Sequence, residues 1–163
     1  GAEDAGKAGD FAYAFDMARE AGLRLTSHAG EWGGAQSVWE TINDLRIERI
    51  GHGVHAIEDP KLVDYLAETG LVLEVNPGSN IALGVYPSLA QHPIAKLRDA
   101  GVKVTVSTDD PPFFHTDMTQ EFEQLERVFG WGADDFRALN ATALEAAFCD
   151  ADTKKALAKI LEN

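Results

Sequence analysis

Residues 59–75 read Asp-Pro-Lys-Leu-Val-Asp-Tyr-Leu-Ala-Glu-Thr-Gly-Leu-Val-Leu-Glu-Val, and this stretch decides the fold class. Asp59 is a helix N-cap, and Pro60 stands at the first helical position, where its fixed φ and missing N–H do no harm. The spacing predicts a helix to Glu68 with a stop at Gly70, and then a short apolar strand, Leu71 to Val75. Upstream, Ile47 to Ile50 reads as another strand, running into Gly51-His52-Gly53. Strand, helix and strand in so short a span imply parallel strands joined by a helical crossover.

The same alternation extends outward. Phe11 to Glu20 is a helix pattern stopped by Gly22, and Leu23 to Ser27 is a strand ending at His28. Gly33-Gly34 punctuates, and Ala35 to Leu45 is helical. Downstream, Asn76 to Gln91 reads as a long loop and Pro93 to Ala100 as a helix closed by Gly101. Val102 to Ser107 is a fourth strand, and a tail of three helices follows: Thr119–Phe129, Ala133–Phe148 and Asp152–Leu161. The expected class is α/β with a parallel sheet and a C-terminal helical tail. Four strands cannot close an eight-stranded barrel, which takes about 250 residues.

Composition excludes several functions. Fourteen basic against 27 acidic residues give a net charge of −13, which opposes binding to nucleic acid or to an anionic membrane surface. The acidic balance fits a cytoplasmic location. No stretch approaches the roughly 20 apolar residues of a membrane span. The opening Gly1-Ala2-Glu3-Asp4 lacks both Met and a signal-peptide pattern, so a processed or truncated chain is expected. Cys149 is the one cysteine, so no intrachain disulfide can form, and a buried, inert thiol is expected.

Polar motifs stand at the strand ends, where α/β proteins place their chemistry. His28-Ala29-Gly30-Glu31 puts an imidazole and a carboxyl on one tight turn, types suited to zinc and to proton transfer. Arg49-Ile50-Gly51-His52-Gly53 sets a histidine between glycines that let a ligand approach the backbone. Ser107-Thr108-Asp109-Asp110-Pro111 joins two carboxylates whose repulsion a cation or a substrate donor would relieve. Each alone has a plainer reading: a polar strand end, a glycine-rich turn, a helix-capping Asp-Asp-Pro. Together, as three successive motifs capping three strands of one parallel sheet, they suggest metal-assisted hydrolysis. Glu74, a carboxylate within an apolar strand, is either a partner for His28 or an exposed strand residue. His55, His92 and His115 read as structural or solvent-facing, and Trp39 as part of a buried helix face.

His-Ala-Gly-Glu at 28–31, Arg-Ile-Gly-His-Gly-Val at 49–54, Asn-Pro-Gly-Ser-Asn-Ile-Ala-Leu-Gly-Val-Tyr at 76–86 and Ser-Thr-Asp-Asp-Pro at 107–111 closely resemble the adenosine deaminase family. The order and spacing match over essentially the whole chain. The resemblance implies a zinc-dependent (β/α)8 barrel of which residues 1–163 form a single partial domain, the C-terminal half with strands five to eight. It implies that His28 and Asp109 ligate zinc and that Glu31 protonates the purine ring at N1. It further implies that His52 orients and helps deprotonate the attacking water, that Asp110 bonds purine N7, and that the Gly1 amide meets N3. A Glu31 that donates a proton needs a pocket that raises its pKa. The reaction implied converts adenosine or 2′-deoxyadenosine to inosine and ammonia, on a small purine nucleoside. The other zinc deaminase pattern, His-x-Glu with Pro-Cys-x-x-Cys, is excluded by the single cysteine.

The family's His-x-His pair has no counterpart among His28, His52, His55, His92 and His115. Catalytic zinc takes three protein ligands plus water. The expectation is therefore that this chain alone binds zinc weakly and turns over little, and that an N-terminal half is its partner. Two alternatives stand beside adenosine deamination: adenine deamination within the same superfamily, and a non-catalytic half-barrel that associates without zinc.

Overall fold

Pairing of the strands determines where the polar motifs stand. In the computed structural model, which describes Glu3 and residues 6–161, the strands are β1 (Thr26–Ala29), β2 (Arg49–His52), β3 (Val72–Val75) and β4 (Val104–Val106). The helices are α1 (Ala12–Glu20), α2 (Ala35–Leu45), α3 (Pro60–Thr69), α4 (Pro77–Ala82), α5 (Ile94–Asp99), α6 (Pro111–Phe114), α7 (Met118–Phe129), α8 (Ala133–Ala146) and α9 (Ala151–Leu161). Short 3-10 turns cover Ala8–Phe11, Val54–Glu58 and Leu89–Gln91. None of the described helices is long and apolar enough to cross a membrane.

The chain divides into two compact units. The first holds the described residues up to Val75 together with Pro93–Lys103, and so α1 to α3, α5 and β1 to β3. β1 pairs with β2 and β2 with β3, all parallel, with Thr26 opposite Arg49, His28 opposite Gly51 and Gly51 opposite Glu74. The Leu73 amide donates to the carbonyl of Lys103, 3.0 Å away and just before β4. Alternation then gives one face to Thr26, His28, Arg49, Gly51 and Glu74, and the other to Ile50 and Leu73. Ile50 and Leu73 are fully buried, as are Val38 of α2, Leu62 and Leu66 of α3, and Ile94 and Leu97 of α5. Each such side chain contributes about 1.5–3 kcal/mol by leaving water.

Helix α3 confirms the local reading. The Asp59 carboxylate accepts from the Lys61 amide at 3.0 Å, Pro60 opens the helix, and Gly70 ends it with φ 68°. The strands begin later than the apolar runs suggest: β1 starts at Thr26 rather than Leu23, and β2 at Arg49 rather than Ile47. The ladder reaches into the polar motifs, so His28 and His52 belong to strands instead of following them. Trp39 is half-buried; its indole N–H donates to Asp59 at 2.9 Å, and its ring lies 5.0 Å from that of Tyr65.

The second unit comprises Asn76–His92 and the described residues from Val104 on. Helix α8 packs against β4, and Phe122 of α7 stacks on Phe136 of α8 with ring centroids 4.6 Å apart. Leu125, Trp131 and Leu139 are buried there. The expected loop from Asn76 to Gln91 contains α4, in which Pro77, Ser79 and Asn80 are buried. Six residues with a glycine and an asparagine carry no helical periodicity, so only tertiary contacts reveal this turn. Cys149 is half-exposed, contrary to the buried thiol expected, because it lies past the end of α8.

Candidate active site

In the first unit, β1 and β2 bring together three of the residues singled out from sequence. His28 is the third residue of β1, Glu31 lies just past its end, and His52 ends β2. Strand alternation alone would turn His52 away from His28, toward the face of Ile50. His52 instead has a left-handed φ of 62°, and its ring centroid stands 5.2 Å from that of His28. A non-glycine residue in this region costs roughly 1–2 kcal/mol, and such strain gathers at functional sites. Nε2 of His52 lies 3.6 Å from a Glu31 carboxylate oxygen. His52 is 1% exposed and the Glu31 side chain 13%, so the pair is largely withdrawn from water, while His28 is exposed.

Two glycines make this arrangement possible. A Cβ on Gly51 would stand 3.1 Å from Cγ and Nδ1 of His28, so the missing side chain leaves room for the imidazole on the neighbouring strand. Gly30 turns the chain between His28 and Glu31 with φ 68°, where a Cβ would meet Cγ2 of Val38 at 2.5 Å. His55 supports the same turn: its amide donates to the Gly30 carbonyl at 3.0 Å, and its Nδ1 lies 3.0 Å from the same oxygen. Glu74 does not serve His28. It accepts from the Thr26 hydroxyl at 3.2 Å and forms an ion pair with Arg49 at 3.3 Å.

In the second unit, Asp109 also has a left-handed backbone, φ 58°. The Ser79 hydroxyl donates to Oδ2 of Asp109 at 2.7 Å, so α4 orients this carboxylate. Ser79 carried no assigned role in the sequence, because the link spans 30 residues; its place in the motif at 76–86 was the available signal. Asp110 precedes α6, whose Phe113 and Phe114 amides bond its carbonyl, but its exposed side chain makes no cap bond. The plain capping reading therefore holds for its backbone and not for its carboxylate. Gly1 lies outside the described residues.

A family model described as adenosine deaminase matches residues 1–163. The chain belongs to the adenosine deaminase family. Within it, an adenine deaminase of Rhizobium johnstonii is 56% identical over 157 residues, 96% of this chain and 49% of that protein. An adenine deaminase of Agrobacterium fabrum is 51% identical over 96% of this chain and 48% of its own length. The crystal structure of adenine deaminase from Arthrobacter aurescens superposes with a TM-score of 0.95 at 33% identity, over 99% of this chain and 50% of that one. An amidohydrolase from Burkholderia ambifaria, solved with bound zinc, superposes with a TM-score of 0.88 at 28% identity, over 99% of this chain and 46% of that one. The chain thus spans about half the length of the curated relatives it matches. These superpositions bear out the expected α/β class with the strands of a partial deaminase barrel.

Proposed function

We propose that this chain carries the acid–base groups and part of the metal site of an adenine deaminase, which replaces the 6-amino group of adenine by oxygen. Adenine and water give hypoxanthine and ammonia. The observation that carries the reading is the 51–56% identity to proteins named adenine deaminase. It favours adenine over adenosine, the substrate that the motifs alone put first.

His28 and Asp109 would hold the metal. Their imidazole and carboxylate are donors that zinc accepts; Gly51 gives the His28 ring its space, and Ser79 orients Asp109. The zinc of the Burkholderia amidohydrolase supports the choice of metal. Two protein ligands are fewer than catalytic zinc takes, so the remainder would come from an N-terminal half. Zinc, when bound, supplies the Lewis acidity that brings the ionisation of water to about pH 7. His52 orients the attacking water and accepts its proton. Glu31 delivers a proton to N1 as C6 becomes tetrahedral. The proton taken by His52 then passes to the 6-amino nitrogen, and the C6–N bond breaks to release ammonia. The 3.6 Å approach of His52 and Glu31 lets the two exchange protons. Asp110 would bond N7 and the Gly1 amide N3.

The test is turnover of adenine and adenosine, with metal content, on the chain joined to an N-terminal half of a relative. Adenine should be consumed at least about 100-fold more efficiently than adenosine, and Glu31→Gln should lower kcat by about 100-fold or more with metal retained. Preference for adenosine would overturn the substrate. A protein that binds no metal and deaminates neither would overturn the deaminase reading.

A further inference from the structure

Glu3 plays no part in the chemistry above, yet it is tied to the turn that delivers Glu31. Four consecutive amides converge on its carboxylate. Gly30 N–H donates to Oε1 at 2.6 Å; Glu31, Trp32 and Gly33 donate to Oε2 at 3.0, 2.8 and 3.1 Å. The Ser37 hydroxyl, from the first turn of α2, donates to Oε1 at 2.5 Å and also accepts from Gly30 N–H at 3.0 Å. Successive amides pointing into one concavity form a nest, a backbone arrangement that binds an anion. Here the protein fills the nest with a side chain of its own, 27 to 30 residues away in sequence.

We infer that Glu3 is a positioning residue: its carboxylate sets the backbone at residues 30–33 and thereby aims the Glu31 carboxyl at the reacting centre. One of the four amides is that of Glu31 itself, so the bond acts one residue's geometry away from the acid. Burial opposes ionisation of Glu3, but the Ser37 hydroxyl and the amides of Trp32, Gly33 and Gly30 outweigh it and hold its carboxyl below the ordinary value. Glu3 is therefore an anion at neutral pH, the form that accepts from all five donors. The consequence for catalysis rests on the deaminase reading, whereas the anchoring of the turn does not.

Amide hydrogen exchange on the 163-residue chain tests the anchoring without any turnover. In Glu3→Ala, amides 30–33 should exchange about 10-fold faster or more, while those of α3 and β3 keep their protection. Glu3→Gln, which keeps one side-chain oxygen, should show a smaller change. Millimolar formate should restore protection in Glu3→Ala, and chloride at equal concentration should not, because the emptied nest takes a planar carboxylate. In the protein joined to an N-terminal half, Glu3→Gln should lower kcat by about 10-fold with KM and metal content unchanged. Unchanged exchange at 30–33 in Glu3→Ala would overturn the proposal. So would acceleration spread evenly over the whole chain in both variants. Loss of the deaminase reading would appear instead in the Glu31→Gln turnover, with the exchange result intact.

Discussion

His52 and Asp109 are the two non-glycine residues in left-handed backbone that also carry proposed chemistry, with φ 62° and 58°. Histidine and aspartate tolerate this region better than bulkier residues do, and a single such angle redirects a side chain at the end of a strand. The presence of both residues was legible because each motif is local. The angles were not, since they depend on what packs around the turn. Gly51 shows the same division: its place beside a histidine was visible, and its purpose emerges only from the register that sets it opposite His28. Gly51→Ala should leave the parallel ladder intact, because alanine fits a strand. Its methyl would press on the His28 ring from 3.1 Å. We expect the His28 ring resonances to shift in NMR spectra and metal affinity in the joined protein to fall about 10-fold. Unaltered resonances and affinity would remove Gly51 from any role at the site.

Among the elements, α3 was readable almost to the residue because its cap, its opening proline and its terminal glycine are all local signals. Helix α4 was not, for it is held from outside. The Glu121 carboxylate of α7, 1% exposed, accepts from the Gly78 amide at 2.9 Å and from the Thr116 hydroxyl at 2.8 Å. It thereby seats the helix whose Ser79 bonds Asp109. Glu121→Ala would leave the half-buried Gly78 amide without its acceptor, a loss of about 1 kcal/mol. Urea unfolding should register that loss, and exchange should rise first at 78–82. Stability within error of wild type would show that α4 stands without this carboxylate. No local pattern marks Glu121 for this task, since its partners lie 43 and 5 residues away.

At the scale of the molecule, stability depends on groups that the chemistry does not use. His92 is 2% exposed, with Nε2 3.1 Å from the Asn80 amide oxygen and its ring 5.1 Å from that of Tyr86. Burial lowers its pKa from 6.5 to about 4. Between those values the unfolded chain holds a proton that the folded chain lacks, so acidification favours unfolding. This group's stabilisation is complete above pH 6.5 and is lost as pH falls toward 4, up to about 3 kcal/mol. Chemical denaturation from pH 7 to 4 should show that slope, and His92→Gln should flatten it; equal slopes would refute the assignment. The sequence by itself determined the alternation of helices and strands and the family, and it singled out His28, Glu31, His52, Asp109 and Asp110 as the residues proposed for the chemistry, because capping, periodicity and strand-end motifs are written within a few residues. It put adenosine first; 51–56% identity to adenine deaminases moves the proposal to adenine. Tertiary structure alone decided the bonds from Glu3 to residues 30–33, from Ser79 to Asp109 and from Glu121 to Gly78, and the turning of His52 toward His28. Those depend on strand register and on hydrogen bonds between residues far apart in the chain, which no local pattern encodes.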